Sequence, residues 1–286
     1  MANERIAIVT DSTSDLGDAV IKGQDIFRVP LRIYFGSEEF LDRENMTPDQ
    51  FYRRLQTDKQ FPRTQPPNSK NFLELFQQLS DGGFTHILCL FISSQLSKTM
   101  ENAQFSANMV TRVKIKLVDS KTASLGLGFL CLYARSLVRQ NLSFDAIVDK
   151  VEQLVPKTLA VFSVDNLDTL ERGGRISKAK AFFGKMLGVR PILAVQNGTG
   201  VIEPVTTVKS TEAAHDFMAK LAIEHYQHHG LAYGIGVMHT EVVENCQALK
   251  QKVAALGSNL GTISDGRIGG VVGCHLGPTG WGVVVC

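Results

Sequence analysis

The sequence predicts an α/β fold in two parts: a mainly parallel-sheet three-layer domain over residues 1–157, and an α+β domain with a mixed sheet over 158–286. Three observations carry this. Short apolar runs alternate with helical stripes through the first half, the pattern of a parallel sheet covered by helices. Three of those runs end in hydroxyl-rich segments, DSTSD, SSQLSKT and DSKTAS. From Thr158 onward the alternation gives way to a hairpin pattern mixed with helices.

Arg5–Thr10 is a first strand that runs into Asp11-Ser12-Thr13-Ser14-Asp15, a helix-opening cluster, and Val29–Phe35 is a second β-rich run. Thr47 then has the place of an N-cap, with Pro48 at the first helical position and Gln50 closing a capping box. Met46 and Phe51 are spaced as a hydrophobic staple. Phe61–Ser69 reads as a polar, Pro-containing loop. A helix with Phe72, Leu75, Phe76 and Leu79 on one stripe follows, stopped by Gly82-Gly83. His86–Ile92 and Lys114–Val118 are strands, each followed by a hydroxyl-rich segment and a helix, the second reaching Arg139. Ser143 caps one more helix, ended by Pro156. In the second half, Pro191–Gln196 and Val201–Val208 flank Asn197-Gly198-Thr199-Gly200 as a hairpin. Helices over Thr211–His228 and Val242–Leu256 and strands over Ala232–Met238 and Trp281–Val285 complete the chain.

Open α/β sheets bind ligands outside the carboxyl ends of their strands. The three hydroxyl-rich segments therefore read either as an anion-binding crevice or as simple N-caps. With a net charge of +2, no global field favours nucleic acid or an anionic membrane. Five cysteines without a CxxC pair or a zinc spacing fit a reducing compartment, and the expected location is the cytoplasm. No apolar stretch approaches the ~18 residues of a membrane span, so stable membrane insertion is not expected.

Signs of catalysis are few. Asp11-Ser12-Thr13 has the place of an aspartyl nucleophile, but Thr13 stands where a second carboxylate belongs. GxGxxG, P-loop and GxSxG patterns are missing, and Gly126-Leu127-Gly128 lies within a helical pattern. No histidine pair suggests a metal, and the expectation is a protein without catalytic residues, metal or cofactor.

Six segments carry a family likeness in consistent order: IAIVTDSTSDL (Ile6–Leu16), Pro62-Arg63-Thr64, ISSQLSKT (Ile92–Thr99), LERGGRI (Leu170–Ile176), VRPIL (Val189–Leu193) and GCHLGP (Gly273–Pro278). Together they resemble the DegV family of bacterial fatty-acid-binding proteins over essentially the whole chain. The resemblance implies an acyl chain such as palmitate or stearate buried inside the protein. Its carboxylate would bind Thr64 and a serine of the ISS segment, with His275 close by. Ser93 and Ser94 are the candidates, Ser94 preferred. It also implies a carrier that presents fatty acid to a separate fatty-acid kinase for acyl-phosphate formation, with Arg175 and Lys209 near the head group or the partner. Three positions depart from the family pattern: Gln65 where the family has serine, Lys98 where it has glycine, and Lys209 where arginine is usual.

The physics suits such a ligand. Burying about fifteen CH2 and CH3 groups gains on the order of 12 kcal/mol before costs, which favours an enclosed tunnel over a groove. An unpaired carboxylate out of water costs several kcal/mol, and two or three hydroxyl donors can satisfy it. Phe182, Phe183, Met186 and Leu187 are candidate tail-lining residues or ordinary core. Thr64 also reads as a turn residue, Ser93 and Ser94 as N-caps, His275 as a structural histidine and Arg175 as a solvated one. Two other functions compete: a phosphatase-like hydrolase built on Asp11, and a carrier of another amphipathic anion.

Overall fold

Strand β1 (Ile6–Asp11) is buried along its whole length, as the inner strand of a parallel sheet should be. The computed structural model describes residues 4–176, 188–196, 198–230 and 232–286. In it β1 lies between β2 (Ile26–Val29) and β6 (His86–Phe91), with β7 (Lys114–Asp119) beyond, all parallel in the order β2-β1-β6-β7. Alternation along β1 decides its neighbours. Ala7 and Val9 share a core with Phe72, Phe76 and Leu79 of α3 (Ser69–Asp81) and Ala103 of α4 (Thr99–Ala107). Ile6 and Ile8 face Leu127, Leu130 and Ala134 of α5 (Leu125–Arg139) and Ile147 and Val151 of α6 (Phe144–Leu154).

Three local expectations are corrected. Val29–Phe35 is not one strand: β2 ends at Val29, and β3 (Arg32–Phe35) starts a separate antiparallel sheet, because Pro30 between them has no N–H to give a ladder. Residues 61–69 are not wholly loop: β5 (Arg63–Gln65) pairs with β3, which β4 (Glu38–Leu41) joins on its other side. The DSTSD cluster opens only a 3-10 turn, Ser12–Ser14, and the four-residue α1 (Asp18–Ile21) follows. The capping box ahead of α2 (Pro48–Thr57) forms as expected: Gln50 N–H donates to the Thr47 hydroxyl at 3.3 Å, and Thr47 N–H to Gln50 Oε1 at 2.8 Å.

The second half builds a six-stranded sheet from β8 (Leu159–Ser163), β9 (Arg190–Val195), β10 (Ile202–Val208), β11 (Ile235–His239), β12 (Ser264–Arg267) and β13 (Trp281–Val285). The order is β10-β9-β8-β13-β11-β12, antiparallel except for the last pair, and the expected hairpin is β9–β10. Its outer face packs on α8 (Thr211–His229) and α9 (Val243–Leu256), and its inner face looks across to α5. After α7 (Asp168–Arg172), the last helix, α10 (Gly270–Leu276), leaves this sheet and packs on the first half. Glycine permits that approach: a Cβ on Gly273 would lie 2.5 Å from the Tyr52 hydroxyl. No helix among the described residues is long and apolar enough to cross a membrane.

Candidate functional site

Register across the six-stranded sheet creates a void. Val195, Ala160, Val284 and Gly236 stand side by side on β9, β8, β13 and β11, and all face inward. The next inward row holds Phe162, Gly282 and Met238. Short side chains in the first row leave the layer between this sheet and the first half unfilled at Ala160, while at Gly236 Leu125 fills the gap: a Cβ there would lie 2.3 Å from its Cδ2. The resulting cavity has about 930 Å³ of space free of atoms, part of it open to solvent. Ile92, Leu170, Ile268 and Leu276 extend its apolar wall, and Thr64, Ser97, Ser124, Arg175 and His275 are its polar lining.

Thr64 and His275 meet: the Thr64 hydroxyl and His275 Nε2 are 3.2 Å apart, brought together by β5 and α10 from opposite ends of the chain. Burial, reinforced by the nearby Arg175 charge, pulls the His275 pKa down to about 4, so the imidazole is neutral at pH 7. Its Nδ1 is buried without a partner. Gly173 makes room for the ring, since a Cβ there would lie 2.1 Å from Nδ1. Arg175 donates from Nε to the Leu96 carbonyl at 3.2 Å and from Nη1 to the Gly173 carbonyl at 2.5 Å. Both of these acceptors are backbone carbonyls. Burial lowers the Arg175 pKa from the usual value, but a guanidinium stays charged. The polar end of the cavity thus holds a cation, a neutral imidazole and hydroxyls, a set suited to an anionic head group.

The hydroxyls of Ser93 and Ser94 are engaged away from the cavity. Ser94 is exposed and turned to the end of β7, donating its hydroxyl to Asp119 and its N–H to the same carboxylate at 3.1 Å. Ser93 is fully buried, but its hydroxyl donates to the Gly200 carbonyl at 2.7 Å and pins the β9–β10 hairpin. Neither lines the cavity. Ser97, in the same ISSQLSKT segment, does, because the chain turns there: the Ser93 carbonyl accepts from the N–H groups of Leu96 and Ser97. Lys209 is exposed just beyond β10 and is not part of the lining. Phe182, Phe183, Met186 and Leu187 lie outside the described residues.

Asp11 is fully buried and occupied. Oδ1 accepts from the N–H (2.9 Å) and hydroxyl of Thr13, and Oδ2 from Ile92 N–H at 2.9 Å. Burial pushes its pKa up to about 6. It ties the end of β1 to the end of β6 and does not face the cavity.

Known proteins share this architecture. The model of the DegV family, described as uncharacterised proteins, matches residues 5–286. A DegV domain-containing protein of Caldanaerobacter subterraneus is 31% identical over 285 residues, 98% of each chain. Among solved structures, a DegV family protein from Thermus thermophilus described as fatty acid binding superposes with a TM-score of 0.90, at 29% identity over 98% of each chain. A fatty acid binding DegV family protein from Streptococcus agalactiae also gives 0.90, at 27% identity over 99% of this chain and 98% of its own.

Proposed function

Because the chain belongs to the DegV family, we propose that it holds one long-chain fatty acid, palmitate- or stearate-like, in the cavity between its two large sheets. The observation that carries this reading is an apolar cavity whose polar end gathers Thr64, Ser97, His275 and Arg175. The tail occupies the hollow over Ala160 and Val195, and the carboxylate lies against the hydroxyls and the guanidinium. His275 is assigned the Nε2–H tautomer, which donates to the Thr64 oxygen and leaves the Thr64 proton for the ligand. Arg175 adds a charge that a hydroxyl-only tether lacks. With the division at residues 157 and 158, Thr64 and Ser97 come from one part, Arg175 and His275 from the other.

The protein performs no chemistry on its cargo and presents it to a fatty-acid kinase that makes acyl-phosphate, with Lys209 on the exposed surface as a candidate partner contact. All five cysteines are buried free thiols, which supports action in the reducing cytoplasm. The enclosed, fully hydrogen-bonded Asp11 weighs against a hydrolase.

Denaturing mass spectrometry of an organic extract of the purified protein tests the cargo. A stoichiometric C16 or C18 acid is expected. A phospholipid or retinoid in its place would transfer the cavity to another amphipathic anion, and an empty extract with turnover of a phosphate ester would favour an enzyme. Acyl-phosphate formation by a fatty-acid kinase that depends on added protein tests the presentation step.

A further inference from the structure

Next to the cavity wall at Ser124 lies a carboxylate that the fatty-acid site itself does not use. The Asp15 side chain is completely buried, and three donors converge on it. Its Oδ1 accepts from Arg43 Nη2 and from Gly269 N–H, each at 2.8 Å, and its Oδ2 accepts from the Ser124 hydroxyl at 2.6 Å. These partners are 28, 254 and 109 residues away in sequence, so Asp15 is no local cap.

Two of the three lead straight to the cavity. Ser124 lines it and precedes α5, and Gly269 immediately precedes α10, the helix that carries His275. The backbone adds an independent sign. Asp15, Arg43 and Ser124 all have left-handed φ, at 55°, 63° and 54°, a conformation non-glycine residues seldom adopt. Three such residues joined through one carboxylate mark strain held at a functional place. Gly269 is required for the approach, because a Cβ there would lie 2.8 Å from Asp15 Oδ1.

We infer that Asp15 is a positioning residue of the ligand site: it fixes the Ser124 wall and the start of α10 together, and through α10 the placement of His275 against Thr64. The inference rests on the fatty-acid reading. It makes the head-group geometry depend on a side chain that never touches the ligand.

The test uses the full chain stripped of lipid, reloaded with [1-13C]palmitate. In Asp15→Asn, palmitate affinity falls about tenfold or more, the loss of a charge-assisted anchor, and the bound carboxyl resonance moves or broadens. A folded D15N protein with affinity within about twofold of wild type and an unmoved carboxyl signal overturns the inference, whatever its melting temperature. Should D15N fail to fold, Ser124→Ala removes a single branch of the cluster, and an unmoved carboxyl resonance in that variant overturns the inference equally. Wild-type protein that takes up no palmitate would instead sink the fatty-acid reading.

Discussion

The two faces of the six-stranded sheet come from the same strands through alternating residues, yet they do opposite things. On the outer face Leu159, Val161, Ile192, Ile235, Val283 and Trp281 pack without exposure of more than 8% against α8 and α9. On the inner face Ala160, Val195, Val284 and Gly282 leave a hollow. Residue period decides which face is filled, and side-chain volume at the inward positions decides how much room is left. One face serves stability and the other capacity.

The largest effect that would break this contrast is on the outer face. Trp281→Ala should cost about 3–5 kcal/mol in urea unfolding, as large-to-small changes in filled cores do, and a loss near zero would show that this face is not close-packed. On the inner face, Ala160→Phe should reduce palmitate affinity about a hundredfold, near 2.7 kcal/mol, without lowering the melting temperature of lipid-free protein. A large drop in that melting temperature would mean the hollow was already full. At the polar end, Thr64→Ala with Ser97→Ala should weaken binding by about tenfold, measured by calorimetry, and unchanged affinity would remove both from the head-group set.

The smallest effect concerns pH. Burial raises the Asp42 pKa from 3.8 to about 7. Such a group favours the folded state fully below its unfolded pKa, and that contribution is lost as pH climbs through about 7. Asp42→Asn should therefore gain stability relative to wild type between pH 6 and 8.5, on the order of 1 kcal/mol. Taking the difference between the two proteins cancels the histidines that titrate in the same window. A flat difference would place Asp42 among ordinary carboxylates.

Much of the fold was legible. The Thr47–Gln50 capping box, the Phe72–Phe76 stripe of α3 and the Val195–Ile202 hairpin each follow from short-range chemistry. Two of the strands that escaped reading are short and polar: β5 is Arg-Thr-Gln, and β12 is Ser-Asp-Gly-Arg without one apolar side chain, so pairing partners alone hold them. The apolar β8 escaped as well, with only Pro156 setting it off from α6. The site was legible as a set of segments but not as a set of directions. Ser94 and Ser97 share one motif, and only the turn at Ser93, with Asp119 waiting at the end of β7, decides which of them faces inward. Asp15 and Gly269 were beyond reach for the same reason, since nothing local announces a contact across 254 positions.

Thr64 and His275 are 211 positions apart. During synthesis, therefore, β8 and β9 emerge from the ribosome well before the imidazole that meets Thr64. β13, which supplies Val284 and Gly282 and lies between β8 and β11, emerges later still, so neither the hollow nor the contact exists until the last residues are made. The cavity belongs to the finished molecule.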